Sequence, residues 1–359
     1  MSNEQQEHNG QASSSKPSKP RARLGETQVV ILPNSDSEDD EEDGEEGQYH
    51  DGEVQSAPKS FASDIEDLQL QHLRLKTPTL CDFDLSQYKS LKTICLRQNE
   101  ISSPIPPEAF QGLENLVELD LYDNRLGPSV EDEELAGCSN VTSLDLSFNN
   151  IRHVPNLPSM TKVETLYLVQ NKIKAVESGD LDWAKDTLKS LELGGNRIRA
   201  IENVEHLIRL EELWLGKNKI RSLECLSTFA NLKILSIQSN RITRIENLEG
   251  LVNLEELYLS HNGLKKIENL EKNVKLRTLD VGNNMISTIE NISHLSALEE
   301  FWASYNEIAD LRALDTQLAH LEHLETVYLE GNPCQMKDMT GYRRKVILAL
   351  PQVKQIDAT

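Results

Sequence analysis

Apolar residues recur along the chain in a fixed pattern, with an asparagine at the same place in each copy. The first complete copy places Leu91, Ile94 and Leu96 before Asn99 and Ile101. The spacing returns around ten further asparagines: Asn124, Asn149, Asn171, Asn196, Asn218, Asn240, Asn262, Asn284, Asn306 and Asn332. Successive asparagines are 22 to 26 residues apart. A period of this length indicates a solenoid, in which each copy is one supersecondary unit.

The spacing inside each copy predicts a short strand followed by a turn. Two apolar residues that flank one other position put their side chains on the same face of an extended chain. That face must point into a shared core, because no single coil can bury it alone. The amide of the repeated asparagine is expected to satisfy backbone groups of neighbouring coils. The pattern therefore predicts an α/β leucine-rich-repeat solenoid, with a curved, parallel concave sheet and short helices or 3-10 turns on the convex side.

Four segments follow from where the pattern begins and ends. Residues 1–63 are a predicted disordered acidic tail, and residues 64–90 an N-terminal cap with a degenerate first repeat, in which Leu73 takes the asparagine position. Residues 91–332 hold eleven leucine-rich repeats. Residues 333–359 are a predicted C-terminal cap, in which an amphipathic helix starts at about Tyr342 and is stopped by Pro351. The extra residues of the 25-residue steps are expected to lengthen helices on the convex side.

The charge of the chain narrows the classes of partner. The formal net charge is −22, which disfavours direct binding of nucleic acid or of an anionic membrane. The apolar runs are too short to span a bilayer, and no secretory signal is expected. The five cysteines lack paired spacing, which favours a reducing compartment. No cofactor or metal motif and no catalytic constellation is found, so a non-enzymatic protein is predicted.

One column on the predicted concave face has an unusual composition. It holds the residue between the last two apolar strand positions of each coil: Cys95, Asp120, Asp145, Tyr167, Glu192, Trp214, Ser236, Tyr258, Asp280, Trp302 and Tyr328. Five of these eleven positions are aromatic, in a chain that is 5% aromatic. Carboxylates adjoin the rings at Glu212, Glu256 and Glu300. Such a mixture is typical of binding hot spots, and the alternative is that the rings pack on one another along the sheet.

The repeats resemble those of a family of leucine-rich-repeat regulatory subunits of protein phosphatase 1, the regulatory subunit 7 family. The resemblance rests on IENLEGL (245–251), IENLEKN (267–273), LELGGNRIRAIEN (191–203) and the terminal YRRKVILALPQVKQIDAT, and covers about residues 65–359. It implies that the concave face binds the phosphatase catalytic subunit. By this resemblance the contact positions are Asp145, Tyr167, Glu192, Trp214, Asp280, Glu300, Trp302 and Tyr328, and the aromatic column adds Tyr258. At Tyr167 and Trp214 the family more often carries Phe.

The resemblance implies a non-catalytic subunit that controls the activity, assembly or localisation of the phosphatase, in the nucleus and cytoplasm. A third regulatory protein is a further expected partner. The alternative is a scaffold of a ribonucleoprotein (spliceosomal) or cytoskeletal assembly. Direct RNA contact calls for basic and aromatic residues on one face, and the predicted concave face is acidic.

Short patterns in the tail suggest further contacts. Ser35 and Ser37 each have an acid three residues later, as in substrates of acidophilic kinases of the casein kinase 2 type. The four residues Val29, Val30, Ile31 and Leu32 precede an acidic run. They resemble a SUMO-interacting segment, which adds a strand to its partner.

Overall fold

The computed structural model describes residues 62–358. The predicted tail contacts, at Ser35 and Ser37 and at Val29, Val30, Ile31 and Leu32, lie outside the described residues and stay predictions. Within residues 62–358, no helix is long and apolar enough to cross a bilayer.

Thirteen short strands form one parallel sheet in which the spatial order is the sequence order. They are β1 Asp67–Gln69, β2 Thr93–Cys95, β3 Glu118–Asp120, β4 Ser143–Asp145, β5 Thr165–Tyr167, β6 Ser190–Glu192, β7 Glu212–Trp214, β8 Ile234–Ser236, β9 Glu256–Tyr258, β10 Thr278–Asp280, β11 Glu300–Trp302, β12 Thr326–Tyr328 and β13 Gln355–Ile356. The curved parallel sheet of the predicted solenoid is confirmed.

The register of the sheet repeats without a slip, so equivalent residues of successive coils stand side by side. Leu213 of β7 is paired with Leu235 of β8, and Leu235 with Leu257 of β9. Leu213 and Leu215 are both buried beneath the sheet, as the apolar spacing predicts. Convex positions such as Ile245 and Leu248 close the core from the other side.

The repeated asparagines hold each coil to the one before it. In Asn218, Oδ1 accepts a hydrogen bond from the Ile198 N–H at 3.0 Å, and Nδ2 donates to the Leu193 and Leu215 carbonyls at 2.9 and 3.1 Å. Asn99 does the same for the degenerate first coil, where its Oδ1 accepts from the N–H groups of both Leu73 and Leu75. Buried backbone groups need such partners. The predicted role of the asparagines is therefore confirmed.

Helices are short and lie outside the sheet. They are α1 Thr77–Cys81, α2 Asp132–Leu135, α3 Ala313–Gln317, α4 Pro333–Met336 and α5 Tyr342–Ala349, with 3-10 turns at Leu85–Gln87, Pro107–Phe110, Ala136–Cys138 and Asp182–Ala184. Two of the three 25-residue coils place their extra residues in a single 3-10 turn, at Pro107–Phe110 and Asp182–Ala184, so these convex segments are shorter than the predicted helices.

The last coil is closed by a helix and a final strand. Helix α5 ends before Pro351, as predicted, and β13 then pairs with β12. Asp357 ties this end to the last coil, because its Oδ1 accepts hydrogen bonds from the Leu329 and Glu330 N–H groups at 2.8 and 3.0 Å. The concave face is thereby continued to the end of the described chain.

Candidate functional site

Three rows of side chains cover the concave face, the face of the sheet that points away from the core. The first row holds the first residue of each strand, and the second row holds the last residue. The third row holds the residue two positions further on. The second row is the column singled out from the sequence, and strand pairing sets its members side by side, as with Trp302 and Tyr328.

Four rings of the second row form what we call the aromatic ladder: Trp214, Tyr258, Trp302 and Tyr328. Their centroids are separated by 6.3 Å for Trp214 and Tyr258, 6.1 Å for Tyr258 and Trp302, and 5.8 Å for Trp302 and Tyr328. These are ordinary distances for interacting rings. The rings pack on one another, as the alternative predicts, and remain half-buried, while their role as binding hot spots stays a prediction.

The first two contacts of the ladder skip a strand. The intervening second-row residues are Ser236 on β8 and Asp280 on β10, and they are only 3% and 5% exposed. Neighbouring strands lie roughly 4.8 Å apart, so rings on alternate strands must lean toward each other to meet over these two residues. The result is a continuous ridge of rings from β7 to β12.

Asp280 is buried and already bonded. Its Oδ1 accepts a hydrogen bond from the Gly282 N–H at 3.0 Å, and its Oδ2 accepts one from Gln238 Nε2 at 3.2 Å. These bonds give Asp280 a positioning role in the sheet. Its contact with a partner, expected from the family resemblance, stays a prediction.

A row of carboxylates runs beside the aromatic ladder. Glu212, Glu256 and Glu300 begin β7, β9 and β11 and are 44 residues apart, which is two 22-residue coils. Tyr258 OH donates to Glu256 Oε2 at 2.8 Å, and Trp214 Nε1 lies 3.5 Å from Glu212 Oε2. The sequence therefore repeats a unit of glutamate, apolar residue and ring on every second coil. The sequence reading noticed these glutamates but missed their two-coil period.

These carboxylates form no direct ion pair in the described part of the chain, although Arg277 is near enough to oppose the rise in the pKa of Glu300. Among the described residues, the ion pairs include none with Glu212, Glu256 or Glu300. Burial first, and then the charges of Glu256 and Glu299, raise the pKa of Glu300 above its ordinary value. A carboxylate held in this state gains when a cation approaches, because the cation offsets both the burial and the repulsion. The first row is thus suited to basic side chains of a partner.

The residues just before the strands are arranged differently, because they pair with each other across coils. Lys189 Nζ lies 2.8 Å from Glu164 Oε2, and Lys233 Nζ lies 2.6 Å from Glu211 Oε2. Arg277 continues this edge with Glu299 at 2.8 Å. The charges at the edge of the sheet are compensated, which leaves the carboxylates of the first row as the unpaired ones.

Two polar atoms at the end of β11 and just beyond it are buried without a hydrogen bond of ordinary geometry within residues 62–358. They are Trp302 Nε1 and Ser304 Oγ. Trp302 lies close enough to Glu300 to oppose slightly the rise in the pKa of that carboxyl. Unsatisfied buried polar atoms are uncommon in native proteins. Trp302 Nε1 is therefore buried beside Glu300, and the half-buried ring is what this residue exposes on the concave face.

The N-terminal part of the concave face is already neutralised. Arg97 forms an ion pair with Asp120 and a second, at 3.4 Å, with Asp145. Its guanidinium also lies over the Tyr122 ring, 4.7 Å from the centroid. Asp145 Oδ1 accepts from the Ser147 N–H at 2.8 Å. The predicted contact residue Asp145 thus has internal partners, and the sequence reading missed Arg97, which is in the third row.

Tyr167 and Glu192 lie between these two regions. The pKa of Glu192 is raised to about 7, first by burial and then by the charges of Asp145 and Glu212. Burial, followed by the charges of Glu192 and Asp145, also raises the pKa of Tyr167. A negative charge at Glu192 is therefore costly in the free protein. All nine predicted contact residues are on this face, and Asp145 and Asp280 are the two with the most internal bonding.

The described part of the chain contains no cluster suited to a metal ion. Among residues 62–358, no group of three or more His, Cys, Asp and Glu side chains is arranged to hold a metal ion. The concave face presents rings, carboxylates and small third-row residues such as Gly216 and Gly282. Aromatic residues such as these are enriched in protein–protein interfaces.

Comparison with known proteins agrees with the fold. Models of leucine-rich repeats match residues 186–228, 230–272 and 252–294, and a single-repeat model matches residues 137–152. An internalin of Listeria monocytogenes superposes with a TM-score of 0.64 at 26% identity, covering 77% of this chain and 76% of that one. A leucine-rich-repeat protein of Leptospira interrogans, at 22% identity, has a TM-score of 0.62 over 82% and 84% of the two chains.

Curated relatives match over shorter stretches. Protein phosphatase 1 regulatory subunit SDS22 of Saccharomyces cerevisiae is 46% identical over 102 residues, 28% of this chain and 29% of that protein. Protein phosphatase 1 regulatory subunit 7 of Homo sapiens is 65% identical over 43 residues, 12% of this chain and 11% of the human protein. The matches thus span less than a third of the length of these relatives.

Proposed function

We propose, from the premise that the chain is a leucine-rich-repeat protein related in sequence to regulatory subunits of protein phosphatase 1, that it binds the catalytic subunit of this phosphatase through its concave face. The relatives carry that role in their names. The observation that carries the proposal is the aromatic ladder beside the unpaired carboxylates Glu212, Glu256 and Glu300. No cofactor or catalytic group enters this role.

Binding would be driven by rings and made specific by charge. The half-buried rings of the aromatic ladder offer apolar area whose packing is already fixed, which reduces the entropy lost on binding. Basic side chains of the phosphatase would reach the carboxylate row and lie against the adjacent rings, which adds cation–π attraction to the ion pair. The bound chain would then control the activity, assembly or localisation of the phosphatase, in the nucleus and cytoplasm.

Calorimetric titration of the purified phosphatase catalytic subunit into the full chain tests this proposal. We expect submicromolar binding that Trp302→Ala weakens at least tenfold. The matched control is Trp183→Ala, because Trp183 lies in the convex 3-10 turn Asp182–Ala184, away from the concave face. Circular dichroism must show that both variants are folded.

The possible results distinguish the identity of the partner from the location of the binding surface. Tight binding that Trp302→Ala leaves unchanged, but that a substitution outside the concave face abolishes, would support the phosphatase as the partner. It would also show that the concave face is not the binding surface. Absence of binding by folded protein would overturn the phosphatase assignment itself. Fluorescence imaging of the tagged chain would test the proposed nuclear and cytoplasmic distribution.

A further inference from the structure

A line of cations crosses the middle of the solenoid where the chain leaves the concave face. Lys172, Arg197, Lys219 and Arg241 each directly follow the repeated asparagine of their coil. The N–H of each donates to a carbonyl of the preceding coil, as Arg197 does to Ile173 and Lys219 to Ile198, both at 2.8 Å. These hydrogen bonds set the four residues side by side, roughly 5 Å apart at the backbone.

A second line lies next to the first. Lys174, Arg199 and Arg221 stand two residues further along the same coils and are exposed. We call the two lines together the basic strip. Among the described residues, none of its seven cations forms an ion pair with a carboxylate. This differs from the other edge of the sheet, where Lys189 and Lys233 are each paired with a glutamate of the preceding coil.

The repeat itself does not require cations at these positions. In the following coils, Gly263, Met285 and Glu307 occupy the place of Arg241. The fold therefore accepts no charge or a negative charge there. Like charges held side by side on neighbouring coils repel one another, so the repeat gains nothing from cations at these positions.

We propose that the basic strip is a docking surface for an acidic segment of a partner protein. The four cations of the first line span roughly 15 Å, which matches about five residues of an extended peptide. Their unpaired charges would be compensated by carboxylates of such a segment. The basic strip lies beyond the third row of the concave face, so it can be occupied whether or not a partner lies on the aromatic ladder.

Charge around the basic strip favours a short acidic peptide over a nucleic acid. Glu202, Glu224 and Glu246 follow the second line within a few residues of each coil, and the whole chain carries a net charge of −22. A long polyanion that extends beyond the basic strip would meet these charges. A short segment would feel mainly the local field, because screening limits interactions to about 8 Å at physiological salt. The two lines also lack the aromatic residues on which bases stack.

The test is fluorescence anisotropy with a labelled peptide of ten glutamates, at 0.15 M salt, using the full chain. A second form of the chain, in which the acids of residues 35–47 are replaced by Asn and Gln, removes competition from the chain's own acidic run. We expect saturable binding that the triple variant Arg197→Ala, Lys219→Ala, Arg241→Ala weakens at least tenfold.

The control removes the same charge elsewhere. Lys162, Lys185 and Lys272 are exposed and lie outside the basic strip, and their triple alanine variant should change the affinity less than twofold. The strip variant should also be at least as resistant to heat as the wild type, because it relieves repulsion between like charges. A purely structural role of the cations would lower that resistance.

Three results would overturn the proposal. The first is an absence of peptide binding in both forms of the chain. The second is an equal loss of affinity in the strip and control variants, which would indicate nonspecific charge attraction. The third is tighter binding of a ten-nucleotide single strand than of the peptide, which would assign the basic strip to nucleic acid.

Discussion

The two ends of the concave face contain the same kinds of residues and differ in how their charges are compensated. In the region of β2 to β4, Arg97 pairs with Asp120 and Asp145 and lies over Tyr122. In the region of β7 to β12, Glu212, Glu256 and Glu300 lie beside rings and form no direct ion pair among the described residues. One cation in the third row, Arg97, is therefore enough to pair with the carboxylates of this acidic, aromatic surface within the chain itself.

The comparison shows that composition alone does not identify a binding surface. A carboxylate that already has an internal cation must lose it, or share it, before it can bind a partner. A carboxylate without an ion pair gains from a cation that approaches, and at Glu300 burial, which raises the pKa of the carboxyl, adds to that gain. The second region is therefore the better candidate for partner binding, although both were rich in acids and rings.

The largest expected effect is the loss of partner binding when a ring is removed, and this loss should differ between the two regions. Trp302→Ala should weaken binding of the phosphatase catalytic subunit by at least about 2 kcal/mol, because a ring in the middle of a ladder behaves as a hot spot. Tyr122→Ala, in the neutralised region, should weaken it by less than about 1 kcal/mol. Calorimetric titration of both variants measures the difference, and equal losses would remove the distinction between the regions.

Removing Arg97, the cation of the first region, should lower the unfolding free energy. Arg97→Met leaves Asp120, which is 8% exposed, without its ion pair. We expect a loss of about 2 kcal/mol of unfolding free energy, below the range for fully buried pairs because Arg97 is partly exposed. Lys233→Met, which breaks a pair at the exposed edge, should cost less than about 0.5 kcal/mol. Urea unfolding compares the two, and similar small losses would mean that Arg97 is dispensable for the fold.

The stability of the fold should depend on pH through Glu192, which lies between the two regions. Its pKa is raised to about 7 in the folded chain, so the protonated carboxyl is the form that the fold favours. The stability that this carboxyl contributes is complete below its ordinary pKa near 4.5 and is lost as the pH rises through 7. Glu192→Gln should therefore match the wild type at pH 4 and exceed it by about 1 kcal/mol at pH 8.

Thermal denaturation from pH 4 to pH 8 checks the sign of this effect. Glu133→Gln is the control, since Glu133 is an exposed glutamate on α2, away from the concave face. A variant of Glu192 that is less stable than the wild type at pH 8 would contradict the assignment of burial and repulsion as the cause.

The smallest effect concerns the hydrogen bond within the second region. Tyr258→Phe keeps the ring contacts with Trp214 and Trp302 but removes the donor that reaches Glu256 Oε2 at 2.8 Å. We expect a loss of about 0.5 kcal/mol in unfolding free energy, because Glu256 can turn to water instead. A loss of several kcal/mol in chemical denaturation would show that the ladder depends on this bond and not on ring packing.

Much of the surface could be predicted because the solenoid converts sequence spacing directly into position. The second-row column from Cys95 to Tyr328 was read from the sequence, and the strand register places it as a row across the sheet. The two-coil period of Glu212, Glu256 and Glu300 was also present in the sequence. Spacing alone does not show that the rings beside these glutamates meet across the intervening strand.

The sequence by itself determined the coil, the register and the face on which each residue lies, since a fixed period and buried asparagines allow one stacking of the repeats. Only the tertiary structure decided which charges meet. Arg97 reaches Asp145 across 48 residues of chain, and Asp280 turns inward to Gln238 while Glu300 stays unpaired. The position of a residue on the sheet follows from the period of the backbone. The compensation of its charge depends instead on the direction of long side chains and on the water that neighbouring coils exclude.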